Sequence, residues 1–459
     1  MVKVAVIGCV HGEVERLYDA VEHLTHPPHS LDIDLILCTG DFQAVREPHD
    51  LDSLACPPKY RELHTFYKYY TGSAAASIPL VFVGGNHEAS NHLFELFFGG
   101  WVAPNMYYLG PGGVLSFNGL RIGGLSGIYK AHDFDKGHFE KPPYSSSSLR
   151  SAYHTRSIDI HQILAYSRPA GGEGEANPER PSPPRLDVFM SHDWPTDVVH
   201  SGDVDKLLRI KGFLAREIAD GSFGSPPLAQ VLTNLRPRFW FAAHMHVKFP
   251  ALVAHPESDE VTKFLALDKI RPNGDFLQVL DIDPLAPEEG GIAVAENEEN
   301  LLCYDPAWLA LLQQTFPLMN FTASRTSLPE GGAPYPDQDA IQAMAARLVQ
   351  ANGSLAIPPD AFVRTQPFAD GAIHTGSPQT EALFDLLGVS HSFFSPSDYI
   401  LSDPGSSAAA SGTASSSSSS APVTASSPAP PSVPPSAITK PSGDSVINMS
   451  DDDDDDDDA

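Results

Sequence analysis

Five short strings in this chain gather side chains that bind divalent cations: Gly8-Cys9-Val10-His11-Gly12, Gly40-Asp41-Phe42, Gly85-Asn86-His87-Glu88, Ser191-His192-Asp193 and His244-Met245-His246. Taken singly, each has an ordinary structural reading. A histidine beside an apolar run is usually a hydrogen-bonded core residue, a cysteine after a strand is a small hydrophobe, and an aspartate after glycine is a turn residue or helix cap. Accident does not readily place all five, in order, at the ends of successive apolar runs. Imidazole, carboxylate and sulfur side chains at successive strand ends bring together nitrogen, oxygen and sulfur ligands of the kinds that divalent cations take.

The elements that must carry these strings are short. Strand-length runs occur at Val2 to Ile7, Ile33 to Cys38, Leu80 to Val83, Leu120 to Leu125, Asp187 to Met190, Phe239 to Ala242, Phe264 to Leu267 and Leu277 to Ile282. Several stop at a Gly, Asn, Ser or His that opens a polar loop. Helical periodicity lies between them at Glu15 to Leu24, Tyr60 to Tyr70 and Val204 to Ile218, and later at Leu301 to Leu312 and Asp337 to Val349. The alternation predicts a layered α/β domain with a largely buried mixed sheet, whose chemistry collects at the loops leaving the strand ends.

The formal charge of -29 is unevenly spread, with 25 basic and 34 acidic side chains in residues 1–285 against 4 and 24 in residues 286–459. Net charge therefore does not exclude a polyanionic substrate for the first part. The four cysteines, Cys9, Cys38, Cys56 and Cys303, form neither a disulfide framework nor a CxxC zinc pattern, and a reducing compartment is expected. No signal peptide or membrane-spanning run is evident. Residues 168–184, rich in Pro, Gly and Glu, predict a flexible insertion, and 284–300 an acidic linker. From Asp403 the chain is Ser, Ala and Pro with almost no large apolar residue, so 403–459 is expected to be a disordered tail. Its terminal run Asp451 to Asp458 reads as a solvated, self-repelling end, the alternative being a contact for a basic partner or a mimic of RNA.

The ordered metal strings resemble the calcineurin-like metallophosphoesterases. The resemblance implies a layered fold of mixed β-sheets flanked by helices and two cations sharing a bridging carboxylate. By residue, it makes Asp41 the bridge, Asn86, His192 and His244 the rest of one site, Cys9, His11 and His246 the rest of the other, and His87 the general acid. Glu88 and Asp193 are expected to orient histidines from behind. Cys9 departs from the superfamily, which mostly has aspartate there; a soft sulfur tilts the site toward Fe²⁺ or Zn²⁺ and away from Mg²⁺.

Longer strings narrow the resemblance, among them GCVHGE, GDFQAVRE, PPKYRELHTFYKYYTG, GGNHEASNHL, RIGGLSGIYKAHDF, GHFEKPPY and HMHVKFPAL. Over about Val2 to Ile282 the chain is similar to RNA lariat debranching enzymes. That likeness implies a catalytic domain at 1–283, a smaller C-terminal domain at 301–402, and one or two divalent ions per chain, Fe²⁺, Zn²⁺ or Mn²⁺. It implies hydrolysis of the 2′-5′ phosphodiester of excised intron lariat RNA by a nuclear enzyme, the cytoplasm left open, expected to be monomeric. A lariat recognition loop maps to 126–156, where cations and aromatics alternate as in proteins that hold phosphates and stack unpaired bases. Its expected RNA contacts are Tyr129, Lys130, His132, Asp133, Phe134, Gly137, His138, Tyr144, Arg150, Tyr153, His154 and Arg156. Two other readings stay open: a metallophosphoesterase for phosphoprotein or nucleotide substrates, and a non-catalytic scaffold that kept the fold.

Overall fold

The computed structural model describes residues 1–168, 183–286, 292–366 and 376–390. The tail expected at 403–459 and nearly all of the insertion expected at 168–184 lie outside the described residues, as does part of the expected linker. In chain order the strands are β1 (Val2–Ile7), β2 (Leu35–Cys38), β3 (Leu80–Phe82), β4 (Gly100–Ala103), β5 (Met106–Tyr108), β6 (Gly112–Phe117), β7 (Leu120–Leu125), β8 (Val188–Ser191), β9 (Phe239–Ala242), β10 (Phe249–Ala254), β11 (Val261–Ala266), β12 (Leu277–Ile282) and β13 (Leu302–Tyr304). They form a 6-stranded sheet, β12-β1-β2-β3-β5-β4, and a 7-stranded sheet, β10-β11-β9-β8-β7-β6-β13. The strands β1, β2, β3 and β5 run parallel, as do β7, β8, β9 and β11.

Alternation along each strand decides what it touches. In β1, Val2, Val4 and Val6 face the second sheet and meet Phe117, Ile122, Val188 and Phe241. Ala5 and Ile7 point the other way, onto Val14, Leu17 and Val21 of the helix Val14–Thr25. The second sheet sends Phe189 and Trp240 outward to its own helices, including Leu228, Val231 and Leu232 of the helix Pro226–Leu235. Four layers result, helix, sheet, sheet, helix, and each fully buried Val, Leu, Ile or Phe contributes about 1.5–3 kcal/mol.

Three expectations need correcting. The helix predicted over Tyr60 to Tyr70 is confined to Phe66–Tyr70, after a short 3-10 turn Pro58–Tyr60. Between them, the Thr65 N–H and hydroxyl both donate to the Gly12 carbonyl at 3.1 Å, pulling the chain toward the Cys9 loop. The helix predicted over Val204 to Ile218 breaks after Ile210 and resumes at Ala215. The stretch predicted as helical from Leu301 opens as β13, paired with β6, and the helix starts at Pro306, where Asp305 accepts from the N–H groups of Ala307 and Trp308.

Asp305 also ties this helix to the second sheet, accepting from Arg121 Nε at 3.0 Å and the Tyr166 hydroxyl at 3.2 Å. Trp308, Leu312, Met344, Leu348, Leu383 and Leu387 join the same hydrophobic cluster as Phe189. A second tie is polar. The fully buried Arg46 donates to Asp50 at 2.9 and 3.0 Å, to Glu95 at 2.8 Å and to the Thr365 hydroxyl at 2.8 Å. The Tyr70 hydroxyl accepts from the N–H groups of Thr365 and Gln366, each at 2.7 Å. Removing one member of such a cluster strands the buried charge of the others, so Arg46→Ala is expected to lower the unfolding free energy by about 3–5 kcal/mol, read by urea denaturation.

Candidate metal centre

All five metal strings leave the C-terminal ends of parallel strands. Cys9 and His11 follow β1, Asp41 follows β2, Asn86 and His87 follow β3, His192 follows β8, and His244 and His246 follow β9. The first sheet thus supplies five of these residues and the second three. The loops cross-brace: the Asp41 carbonyl accepts from the N–H groups of Val10 at 3.2 Å and His11 at 2.6 Å, and the Ala243 carbonyl accepts from the Trp194 indole at 2.7 Å.

Close approach dictates the glycines at two positions. A Cβ on Gly40 would sit 2.1 Å from His192 Nδ1, and one on Gly85 would sit 2.1 Å from Asp41 Oδ1. His11, Asp41, His244 and His246 themselves adopt left-handed backbone, with φ of 47°, 44°, 63° and 46°. Non-glycine residues rarely hold such angles, and concentration at one place marks a functional site.

Donor atoms of Cys9, His11, Asp41 and His246 all lie within 4.8 Å of one another. His11 Nε2 stands 3.3 Å from His246 Nε2 and 3.8 Å from Asp41 Oδ2. The same Asp41 Oδ2 stands 3.4 Å from His192 Nε2, which lies 3.1 Å from Asn86 Oδ1, and the His192 and His244 rings are centred 4.8 Å apart. Asp41 Oδ2 is therefore common to both donor groups. His87 joins them through its backbone N–H, which donates to Asp41 Oδ1 at 2.8 Å, and its ring is centred 5.4 Å from that of His11.

Electrostatics make this a cation site. Burial pulls the imidazoles down, His11 and His244 to about 3 and His246 to about 2, with Asp41 opposing, so they are neutral and their lone pairs are available. Burial works against the Asp41 charge, but His192 and His87 outweigh it and hold that carboxyl well below its usual range. Burial first, then Asp41, pushes the Cys9 thiol well up; a divalent cation reverses that and favours the thiolate. Burial also opposes the charge on His192, but Asp41 outweighs it and raises that imidazole. Three neutral imidazoles, an ionised carboxylate and a buried sulfur fit divalent metal ions.

The supporting contacts differ from those expected. Glu88 and Asp193 brace backbone rather than histidine rings. Glu88 accepts from the N–H groups of Phe42, Gln43 and Gly85 at 2.8, 2.9 and 3.0 Å, fastening the Asp41 loop to the Asn86 loop. Asp193 accepts from those of Trp194 at 2.8 Å and Tyr129 at 3.2 Å. His192 is oriented by the Thr39 carbonyl, to which its Nδ1–H donates at 3.0 Å, leaving Nε2 for the cluster. Gln43 Nε2 lies 3.4 Å from His11 Nδ1. The Thr39 contact is made by backbone, so residue type carried no signal for it.

The 126–156 segment leaves β7 beside β8, next to the cluster. Lys130 is half-buried, and its charge reaches His244 and Asp193. His132 and Arg150 are exposed, and Tyr129, Phe134, Tyr144 and Tyr153 are half-buried. Tyr144 and Tyr153 line a cavity of about 80 Å³ together with Glu88 and Gly85. Four of the expected RNA contacts are instead buried in internal contacts. Asp133 accepts from His154 at 2.7 Å and Lys136 at 2.6 Å, and His138 lies 2.9 Å from Asp159. Arg156 is 0% exposed, ion-paired with Glu140 and donating to the carbonyls of Asp133 and Ser151, so its guanidinium holds the loop together from inside. Gly137 is buried as well, and a Cβ there would sit 2.1 Å from the Asn320 carbonyl oxygen.

Fold and cluster are those of a calcineurin-like phosphoesterase, and the pattern of that family matches residues 2–248. The pattern of the lariat debranching enzyme C-terminal domain matches residues 259–392, beginning within the stretch expected to be catalytic. Lariat debranching enzymes from Gallus gallus and Homo sapiens are 42% and 41% identical over 84% of this chain, covering 70% and 69% of their own lengths. That of Arabidopsis thaliana is 39% identical over 84% of this chain and 86% of its own. The chain belongs to the lariat debranching enzyme family.

Two outcomes follow from the centre. Gly85→Ala drives a methyl into Asp41 and is expected to abolish bound metal, measured by elemental analysis, while Gly212→Ala, which meets nothing within 4 Å, retains it. His92, whose Nδ1–H donates to the Ala44 carbonyl at 2.8 Å, is held at about 3 by burial and then by Arg46. An unfolded histidine titrates near 6.5, so below that pH the unfolded state binds more protons and stability falls. That one group is expected to remove about 2 kcal/mol between pH 7 and 5. His92→Gln should flatten the slope in denaturation measured at both values.

Proposed function

We propose that this chain hydrolyses the 2′-5′ phosphodiester at the branch point of excised intron lariat RNA, giving linear intron RNA. The observation that carries this is the convergence of Cys9, His11, Asp41 and His246 within 4.8 Å, beside Asn86, His87, His192 and His244, in a member of the debranching family. Asp41 would be the shared ligand, with Cys9, His11 and His246 holding a cation on one side and Asn86, His192 and His244 holding one on the other. When bound, the cations neutralise the phosphate and lower the pKa of the attacking water. The Cys9 sulfur favours Fe²⁺ or Zn²⁺, with Mn²⁺ next, over Mg²⁺.

Water attacks phosphorus in line as the 2′ oxygen leaves, and His87 gives that oxygen its proton. The products carry a 5′ phosphate and a free 2′ hydroxyl, with no covalent protein intermediate. Burial opposes the positive charge on His87, but Asp41 and the Cys56 thiol outweigh it and raise its pKa, which suits a proton donor at neutral pH. Lys130, His132, Arg150 and the half-buried aromatics of 126–156 hold the RNA, while Arg156, Asp133, His138 and His154 keep their loop in shape. No helix among the described residues is long and apolar enough to cross a membrane. Residence in the nucleus follows from the substrate, and a monomer suffices, since one chain supplies every donor.

The test offers metal-replete protein, reconstituted separately with Fe²⁺, Zn²⁺ or Mn²⁺, a synthetic branched RNA, a matched 3′-5′ linear RNA and p-nitrophenyl phosphate. Preference for the branched RNA is expected, and preference for either control overturns the debranching reading. His87→Ala is expected to lose about 10²- to 10⁴-fold in rate. An undiminished rate removes His87 from the mechanism.

A further inference from the structure

The break in the predicted helix over Val204 to Ile218 has a consequence at the edge of the metal centre. Leu207 and Leu214 are buried in the outer core, 1% and 2% exposed, and Ile218 joins them there. An uninterrupted helix with those three inside would also turn position 210 or 211 inward. Instead the chain leaves helical geometry at Lys211 and makes a 3-10 turn over Gly212–Leu214. Ile210 is left 53% exposed and Phe213 61% exposed. The turn is anchored from below by Leu207 and Leu214, so the two apolar side chains are presented on a fixed support.

The turn itself carries cations. From Lys206 to Arg216 the sequence holds Lys206, Arg209, Lys211 and Arg216, with the acids Asp203, Asp205, Glu217 and Asp220 standing outside that stretch. The Lys211 ammonium lies 5.9 Å from the centre of the Phe213 ring. Leu207 and Leu214 pack in the same hydrophobic cluster as Val247, the residue after His246, so the turn shares its support with the loop that carries that side chain. An exposed aromatic ring beside a cation, next to a phosphoester-cleaving centre, matches how proteins hold unpaired nucleotides, the ring stacking on a base and the cation meeting its phosphate.

We infer that Phe213 is a stacking platform for an unpaired base flanking the branch point, with Lys211 contacting the adjacent phosphate. The inference rests on the branched-RNA reading. It adds a contact surface contributed by the opposite sheet from the one that carries the Asp41 loop, outside the 126–156 segment.

The test compares wild type, Phe213→Ala, Phe213→Trp and Lys211→Ala on two branched RNAs, one with several nucleotides on every arm and one trimmed to the nucleotides of the branch. On the long RNA, Phe213→Ala is expected to raise KM roughly 5- to 100-fold with kcat unchanged, and Phe213→Trp to restore it. On the trimmed RNA all four proteins should agree. Lys211→Ala should reduce the dependence of affinity on salt by about 0.7 in log-log slope, the share of one single-strand phosphate. Replacing the flanking bases of the long RNA with abasic sites should reproduce the Phe213→Ala loss in wild type and add nothing to it in the variant. Equal KM for wild type and Phe213→Ala on the long RNA overturns the platform, as does an equal loss on both RNAs. Wild type that cleaves neither RNA overturns the debranching reading itself, a result distinguishable from both.

Discussion

A carboxylate with 1% exposure, held ionised by the imidazoles of His192 and His87, is the constraint that organises this protein. Asp41 gathers candidate metal donors from loops on both sheets. The fold keeps those loops in place with contacts that bind no metal. Glu88 fastens two of them through backbone N–H groups, the Asp41 carbonyl fastens a third, and Trp194 reaches across to the Ala243 carbonyl just ahead of His244. The left-handed backbone at four donors is a strain of about 1 kcal/mol or more apiece, maintained because the surrounding contacts over-determine it.

Much of this was legible in the residues. The eight apolar runs read as strands all fall on strands, because buried parallel strands are continuous β-branched or apolar segments that end abruptly where their loops begin. The donor strings were legible for the same reason, each standing where such a run stops. What escaped was of two kinds. β4, β5 and β13 are three or four residues long and carry little periodicity, β6 opens on two glycines, and β10 alternates around a proline. The bracing contacts escaped because they are made by backbone groups, as at Thr39, or by partners far apart, as Arg46 is from Thr365.

The 126–156 segment shows where composition misleads. Its cations and aromatics were read together as one RNA-facing surface, and the structure divides them. Arg156 is the clearest case: its type suited a phosphate, but its position at the base of the loop buries it against Glu140, where it accounts for the loop's shape. Arg150, six residues earlier, is exposed. No periodicity distinguishes the two, because the segment contains only short helical turns and its folding is set by side-chain contacts.

The pairing of β1 has a bearing on how the chain is made. Its antiparallel neighbour is β12, so Val2 meets Ile282, and the buried guanidinium of Arg46 meets its hydroxyl partner only at Thr365. A polypeptide emerging from the ribosome exposes an unpaired sheet edge until Ile282 has been synthesised, and the Arg46 guanidinium, already paired with Asp50 and Glu95, lacks its last hydrogen-bond partner until Thr365 follows. Folding of the first sheet is therefore finished late, and during that interval the open edge of β1 is the part of the nascent chain most in need of protection from other strands.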